Sequence, residues 1–149
     1  MGFSGKETGC NLITFEHKPI KEILTDKNLA KLGDSIVNLL YSLVKSKLAG
    51  RPDGAKMPDS FLAEAFRKAG LRKYVSTRQD AHSLGDAAEA LIAYSWLKDH
   101  FEIKETAENF NPLIAHEKII TRKTEREVSI LIFTSLLQEL FEKIVKEKI

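Results

Sequence analysis

The sequence predicts an all-α domain, and three observations support this fold class. Apolar residues recur at steps of three and four residues in several long stretches, which is the repeat of one helix face. Glycine and proline separate these stretches at positions where helices usually end and begin. The alternating β-branched runs that are typical of strands are scarce. We therefore expect a bundle of packed helices.

The chain has the size of one ordinary domain. Its 149 residues are 43% hydrophobic, which is enough to bury a core without disulfide bonds. Residues 1–18 have weak periodicity and several glycines, so we expect an irregular N-terminal arm there. Residues 19–149 are predicted to form a single domain that includes a C-terminal helix from about residue 123.

Periodicity and helix-end signals locate the helices that precede this C-terminal one. A short turn of helix is predicted over residues 19–24, a long helix over 29–49 and a second helix over 58–70. Residues 84–97 are apolar almost all round, which predicts a central, buried helix. Ser76 and Ser83 both have capping-box spacing, so the sequence leaves open whether residues 77–100 form one helix or two.

A Gly-Asp pair occurs in two of the predicted helices. Gly33-Asp34 lies in the long helix and Gly85-Asp86 in the central one. A glycine inside a helix costs about 1 kcal/mol relative to alanine, so each glycine calls for a structural reason. The usual reason is close approach of another backbone. We therefore expect the two helices to cross at their glycines and to bring the two aspartates together.

The helical wheel supports a shared acidic site. Asp34 lies nearly opposite an apolar stripe of the long helix, and Asp86 and Glu89 share a face of the central helix. The stripe consists of Leu32, Ile36, Leu39 and Leu43. Carboxylates on so apolar a helix are costly unless a cation meets them. Oxygen ligands, with water and phosphate as co-ligands, are typical of a Mg²⁺ site.

Ordinary structural roles compete with this interpretation. Asp86 would cap a helix that begins at Ser83, and Asp34 would be a solvated surface acid. His82 lies one turn before Asp86, so it is either a contact of that carboxylate or a half-buried histidine with no such role. Taken together, the three acids and two glycines favour the shared site.

Positive charge is concentrated in one part of the chain. The net charge of the whole sequence is only +2, but residues 42–80 contain nine Lys or Arg and four Asp or Glu, a net charge of +5. The remaining residues sum to −3. This basic segment is either a surface for a polyanion or an ordinary solvated face.

The sequence favours a cytoplasmic protein that does not enter a membrane. Cys10 is the single cysteine, so the chain makes no internal disulfide. Residues 1–11 do not resemble a signal peptide, because they are polar and glycine-rich. No apolar run approaches the roughly 20 residues that span a bilayer.

Two segments resemble signatures of the ribonuclease III family. Residues 29–37 read LAKLGDSIV and resemble the first signature, whereas residues 85–92 read GDAAEALI and resemble the second. The segment over residues 56–76 is most similar to the compact form called Mini-ribonuclease III. The resemblance covers about residues 25–100.

This resemblance implies an all-helical endonuclease domain, a homodimer and cleavage of double-stranded RNA. It implies Mg²⁺ as the cofactor, with Mn²⁺ able to substitute, and matches Asp34, Asp86 and Glu89 to the catalytic, metal-binding acids. The basic segment would then contact RNA phosphates. Its candidate residues are Lys56, Arg67, Lys68, Arg72, Lys73 and Arg78.

The sequence departs from the family pattern in two respects. Many members carry a glutamate four residues before the first aspartate, but Ala30 occupies that position here, which leaves the number of bound ions open. No appended RNA-binding domain is expected after residue 100, so the nuclease domain would grip RNA itself. Two alternatives follow: a catalytically inactive RNA-binding component of a ribonucleoprotein, and a helical scaffold whose Gly-Asp pairs serve packing alone.

Overall fold

The structure is a computed structural model, and it describes residues 17–76, 80–110 and 121–147. Its helices are α1 (Ile20–Leu24), α2 (Lys27–Ala49), α3 (Asp59–Lys68), a 3₁₀ turn (Arg72–Tyr74), α4 (Ala81–Leu97), α5 (Ile103–Glu108) and α6 (Arg122–Glu147). No strand occurs in these ranges, so the predicted all-α class is confirmed. Of the predicted N-terminal arm, residues 1–16 lie outside the described residues.

Helix α4 is the centre of the domain. It contacts α1, α2, α3 and α6, and it is buried on nearly every side. Four of its buried residues are alanines, whose small side chains allow the neighbouring helices to approach closely. They are Ala87, Ala88, Ala90 and Ala93. The prediction of a central, buried helix in this part of the sequence is therefore correct.

The start of α4 differs from both sequence-based candidates. The cap is Asp80, whose side chain accepts a hydrogen bond from the Ser83 amide at 2.9 Å. From Ala81 to Leu97 the chain forms one helix, while residues 77–79 lie outside the described part. Neither Ser76 nor Ser83 is the cap, and Asp86 lies in the second turn. The alternative in which Asp86 caps a helix is therefore wrong.

The inward face of α2 also differs from the predicted stripe. Of the stripe residues only Ile36 is fully buried, and Leu39 is 46% exposed. The face that packs inward lies about a quarter turn around the helix. It consists of Leu29, Ala30, Gly33, Ile36, Val37, Leu40, Tyr41 and Val44. Apolar residues cover more than half of the circumference of α2, and the contact at Gly33 determines which part turns inward.

The crossing of α2 and α4 depends on one glycine rather than two. A Cβ atom added at Gly33 would overlap the main-chain carbonyl group of Glu89. At Gly85 the nearest atom to an added Cβ is the Asp59 carbonyl oxygen, at 3.9 Å, which is ordinary contact. The expected glycine-on-glycine crossing is therefore wrong. Instead, Gly33 packs on the backbone of the residue that carries the second predicted acid of α4.

A row of polar residues on α2 binds the loop that leads to α3. Ser46 Oγ bonds both the amide and the carbonyl of Asp53, at 2.9 and 3.0 Å. One turn earlier, Ser42 Oγ bonds the amide and carbonyl of Ala55, at 3.0 and 3.2 Å. Another turn earlier, Asn38 Oδ1 accepts a hydrogen bond from the Met57 amide at 2.8 Å. The loop is thus fixed along α2 and returns towards Asp34.

Helix α6 closes the domain over α3 and α4. Its first turns are tied to α2, because the Tyr41 hydroxyl and the Lys45 ammonium donate to Glu125 at 3.1 and 2.9 Å. Its last turn is tied to the end of α4, where His100 Nε2 lies 2.7 Å from Glu147 Oε2. No described helix is long and apolar enough to cross a bilayer.

Candidate active site

An open pocket of about 380 Å³ lies between α2, α4 and the start of α3. It is lined by Asp34, Asp86 and Glu89, the three acids predicted from the sequence. A fourth acid, Asp59, lines it as well. The other lining residues are Lys27, Ala30, Lys31, Lys56 and His82. The structure therefore brings together acids that are more than fifty residues apart in the sequence.

Backbone contact between two helices sets the depth of this pocket. Because Gly33 lies directly against the Glu89 carbonyl, the following residue, Asp34, is held beside the Glu89 side chain. Asp86 lies one turn before Glu89 on the same face of α4. Asp59 is the first residue of α3, which packs against α4. Three helices thus each supply carboxylates to one cavity.

The Glu89 carboxyl is the most perturbed acid of the pocket. Burial raises its pKa to about 8, and a hydrogen bond to Asp34 and the charges of Asp34, Asp86 and Asp59 act in the same direction. Four like-charged groups near one another disfavour ionisation of the most buried member. At neutral pH the metal-free pocket therefore retains a proton on Glu89, which it shares with Asp34.

Asp34 is the ionised partner of this pair. The hydrogen bond from Glu89 lowers its pKa, and contacts with Lys56 and Asn38 lower it further against the opposing effect of burial. Lys56 Nζ lies 3.1 Å and Asn38 Nδ2 3.3 Å from Asp34 Oδ1. The side chain of Asp34 is 44% exposed, so it remains accessible from the pocket.

Asp86 has two neighbouring side chains of its own, a lysine and a histidine. Lys27 Nζ lies 3.3 Å and His82 Nε2 3.6 Å from Asp86 Oδ2. The other ring nitrogen of His82 lies 3.5 Å from Asp59 Oδ2. His82 therefore bridges two carboxylates at the rim of the pocket. Its contact with Asp86 agrees with the first of the two roles that the sequence left open.

The donor set suits a hard cation that keeps water ligands. Within residues 17–76, 80–110 and 121–147, no three His, Cys, Asp or Glu side chains form a ready-made coordination sphere. Mg²⁺ does not require one, because it usually binds through one or two carboxylates and several waters. An open pocket whose wall carries four carboxyl groups fits that requirement.

The predicted RNA-binding residues do not form one group. Of the five that the structure describes, only Lys56 lines the acidic pocket. Arg67 and Lys68 are exposed at the far end of α3 from Asp59. Arg72 donates a hydrogen bond to the Ser76 carbonyl at 2.8 Å, so part of its role is to hold the 3₁₀ turn. Lys73 is exposed, with Nζ 5.6 Å from the ring centre of Tyr74. Arg78 lies outside the described residues.

Sequence reasoning missed three charged residues of the pocket: Asp59, Lys27 and Lys31. A signal for one of them exists, because Lys27 lies about 20° from Asp34 on the helical wheel. Lys31 lies about 60° from Asp34, on the edge of the same face. Asp59 has no such signal, because its position depends on how α3 packs against α4.

The fold and the pocket define an all-helical protein whose acidic side chains, drawn from crossing helices, line one accessible cavity. A family model described as Ribonuclease III matches residues 27–146. This span covers most of the chain and both helices that carry the predicted acids, so the chain belongs to the ribonuclease III family. The family predicted from the two signatures is confirmed. The comparison with curated proteins returned no match.

Proposed function

We propose that this protein is a Mg²⁺-dependent endoribonuclease that hydrolyses phosphodiester bonds in double-stranded RNA. The observation that carries the proposal is the convergence of Asp34, Asp86 and Glu89 on one pocket of a ribonuclease III domain. The similarity of residues 56–76 to Mini-ribonuclease III further supports the compact type within the family.

Asp34, Asp86 and Glu89 would hold the metal. A bound Mg²⁺ supplies Lewis-acid polarisation of a phosphoryl oxygen and a water of lowered pKa. Loss of the Glu89 proton accompanies binding, because a carboxyl group ligates as the anion. Mn²⁺ would bind the same oxygen ligands. Ala30 lines the pocket where many relatives have a glutamate, so one ion with three carboxylates is the minimal site.

The remaining residues of the pocket would position these acids. Asn38 donates to Asp34 and accepts from the Met57 amide, so it holds the aspartate and the loop in register. His82, whose Nε2 lies 3.6 Å from Asp86 Oδ2, would hold Asp86 at the rim of the pocket. The backbone of Glu89 is packed against Gly33, which would fix the point from which its side chain enters the pocket. Preorganised acids of this kind reduce the rearrangement needed during the reaction.

Duplex RNA would be bound through its backbone rather than its sequence. The bases of A-form RNA are hard to reach, so proteins read its shape, phosphates and 2′-hydroxyls. Lys56 would contact phosphates beside the acids, with Arg67, Lys68 and Lys73 further along the duplex. Arg78 remains a predicted phosphate contact. Arg72 would act mainly by fixing the turn that carries Lys73.

We further propose that the domain acts as a homodimer. The exposed stripe of α2 supports this, because Leu39 is 46% exposed and Leu32 and Leu43 are only partly buried. This stripe and Asp34 lie on different sides of α2, so pairing through it would leave the pocket open. A two-fold dimer would present one acidic pocket to each strand of an antiparallel duplex.

The test is cleavage of an end-labelled RNA duplex by the purified protein in Mg²⁺ or EDTA. We expect short paired products in Mg²⁺ and none in EDTA, and a loss of at least about 100-fold in rate for Glu89→Gln. The variant should keep its circular dichroism spectrum and bind the duplex. Cleavage by Glu89→Gln at close to the wild-type rate would contradict the assignment.

A second candidate function is RNA binding without cleavage. It is favoured by Ala30, which removes one potential ligand from the pocket wall. This alternative predicts tight duplex binding with no product in Mg²⁺ or in EDTA, whereas the helical-scaffold alternative predicts no duplex binding. The same experiment therefore separates all three.

A further inference from the structure

Two lysines occupy positions where a bound cation would be expected. Lys56 and Lys27 each place an ammonium group against a different acid of the pocket, Asp34 and Asp86 respectively. We propose that these lysines are exchangeable counter-ions: they neutralise the acids in the metal-free protein, compete with the divalent ion, and pass to RNA phosphates when the ion binds. This inference rests on the proposed function and adds an exchangeable counter-ion role for Lys27 and Lys56.

The position of Lys56 is set by its loop rather than by chance. Both neighbours of Lys56 are fixed to α2 through their main chain, Ala55 by Ser42 and Met57 by Asn38. The side-chain nitrogen of Asn38, Nδ2, donates a hydrogen bond to Asp34 Oδ1, which is the same oxygen that Lys56 Nζ contacts. A lysine held so closely at its backbone returns to the rim of the pocket even after its ammonium group leaves Asp34.

Lys27 has a similar arrangement on the other side of the pocket. It is the first residue of α2, next to Asp26, whose carboxylate caps the helix by accepting from the Asn28 and Leu29 amides. Its ammonium lies 3.3 Å from Asp86, yet the side chain is 74% exposed. The backbone is therefore fixed while the four-carbon stem is free to swing.

The weakness of these contacts is what makes exchange possible. Both lysine side chains are largely exposed, 74% for Lys27 and 67% for Lys56. Ion pairs with such exposed lysines contribute little, so a divalent ion of twice the charge displaces an ammonium from the same oxygen at low cost. After displacement, the two ammonium groups remain near the pocket but no longer pair with Asp34 and Asp86. RNA phosphates held at the metal are then within reach, and each ammonium donates hydrogen bonds to one of them.

The experiment compares Lys27→Met, Lys56→Met and the double variant with Lys31→Met. Lys31 lines the same pocket but, among the described residues, makes no ion pair with an acid, so it controls for general loss of positive charge. Mg²⁺ affinity is measured without RNA, by calorimetry and by the shift in melting temperature. We expect the Mg²⁺ dissociation constant to fall by about two- to fivefold for each displaced lysine, and less for Lys31→Met.

Duplex binding should change in the opposite direction. With Ca²⁺ in place of Mg²⁺, and with intact RNA verified in the same samples, each of the two variants should bind the duplex more weakly. The slope of log affinity against log salt should fall by about 1 for each lysine removed. In EDTA this difference should shrink, because the lysines then stay on Asp34 and Asp86.

Two results would overturn the inference. One is an unchanged Mg²⁺ dissociation constant in both lysine variants, or a change no larger than that of Lys31→Met. The other is tighter Mg²⁺ binding with duplex affinity and salt slope unaltered. If the wild-type protein binds no Mg²⁺ at all, the proposed function fails together with this inference, whereas Mg²⁺-dependent cleavage with unaltered lysine variants removes the inference alone.

Discussion

Glu89 is the most strongly perturbed acid of the pocket. It is the acid whose pKa is raised most, to about 8, because it is buried and because Asp34, Asp86 and Asp59 surround it with negative charge. A group with so raised a pKa in a cavity is a candidate for function, since structural packing alone does not require it. In the proposed metal site, a divalent cation would relieve the same crowding. Glu89 would then link metal-free stability to metal binding.

The stability of the metal-free protein should depend on pH through Glu89. The unfolded chain releases this proton near pH 4.5, but the folded chain keeps it up to about pH 8, so the folded state loses stability as pH rises through that window. Glu89→Gln removes the titration. In EDTA, the free energy of unfolding of the variant should rise relative to that of wild type by roughly 1–2 kcal/mol between pH 5 and pH 8. This rise is smaller than the full pKa shift would give, because the carboxyl is only partly buried.

Urea unfolding at both pH values measures this gain, and Mg²⁺ should narrow the difference because it binds only the wild-type carboxylate. A constant difference between the two proteins from pH 5 to pH 8 would show that Glu89 ionises normally.

At the scale of elements, the site depends on the contact between α2 and α4. Apolar periodicity predicts both helices, and the sequence also identifies Gly33 as a glycine in the interior of α2 that calls for a structural reason. The partner of that glycine is not predicted, because Gly33 meets a glutamate backbone rather than Gly85. Close packing therefore requires a glycine on one helix only. On the other helix, the small residues on either side of Glu89, Ala88 and Ala90, allow the close approach.

The two glycines provide a matched pair of variants. Gly33→Ala should destabilise the domain by about 2 kcal/mol or more, because the new methyl group overlaps backbone that cannot move aside. Gly85→Ala should be neutral or stabilising by up to about 1 kcal/mol, because its methyl group meets only ordinary contact and alanine favours a helix. Thermal melts measure both. Equal effects at the two positions would contradict the crossing described here.

Other features of the elements lie beyond what the sequence determines. The apolar surface of α2 is wide enough to permit two inward faces, and only packing on α4 selects the one that leaves Leu39 exposed. The pairing of Asn38, Ser42 and Ser46 with the returning loop depends on contacts between residues far along the chain. Asp59 enters the pocket by the same long-range packing. Local patterns predict helices and candidate acids, but not these tertiary contacts.

At the scale of the whole molecule, the exposed stripe of α2 is the surface proposed for pairing of two copies. Leu39→Lys should convert a dimer into a monomer, because burial of a charge in an apolar interface is costly. Stability of the monomer should change by less than about 0.5 kcal/mol, since the side chain is already half exposed. Analytical ultracentrifugation measures the mass.

Val145→Lys is the matched control, because Val145 is 43% exposed but lies near the end of α6. A wild-type monomer at micromolar concentration, or a dimer that survives Leu39→Lys, would refute the proposed interface.

Acids from α2 and α4 are proposed to act as one cation site. Calorimetric titration of Mg²⁺ into wild type, Asp34→Asn, Asp86→Asn and Glu89→Gln tests this proposal most directly. Each single variant should weaken the same binding event by at least about tenfold, as expected when an ion with few protein ligands loses one of them. If Mg²⁺ binds the wild-type protein and its affinity survives in any one of the three variants, that side chain is not a ligand and the shared site is contradicted.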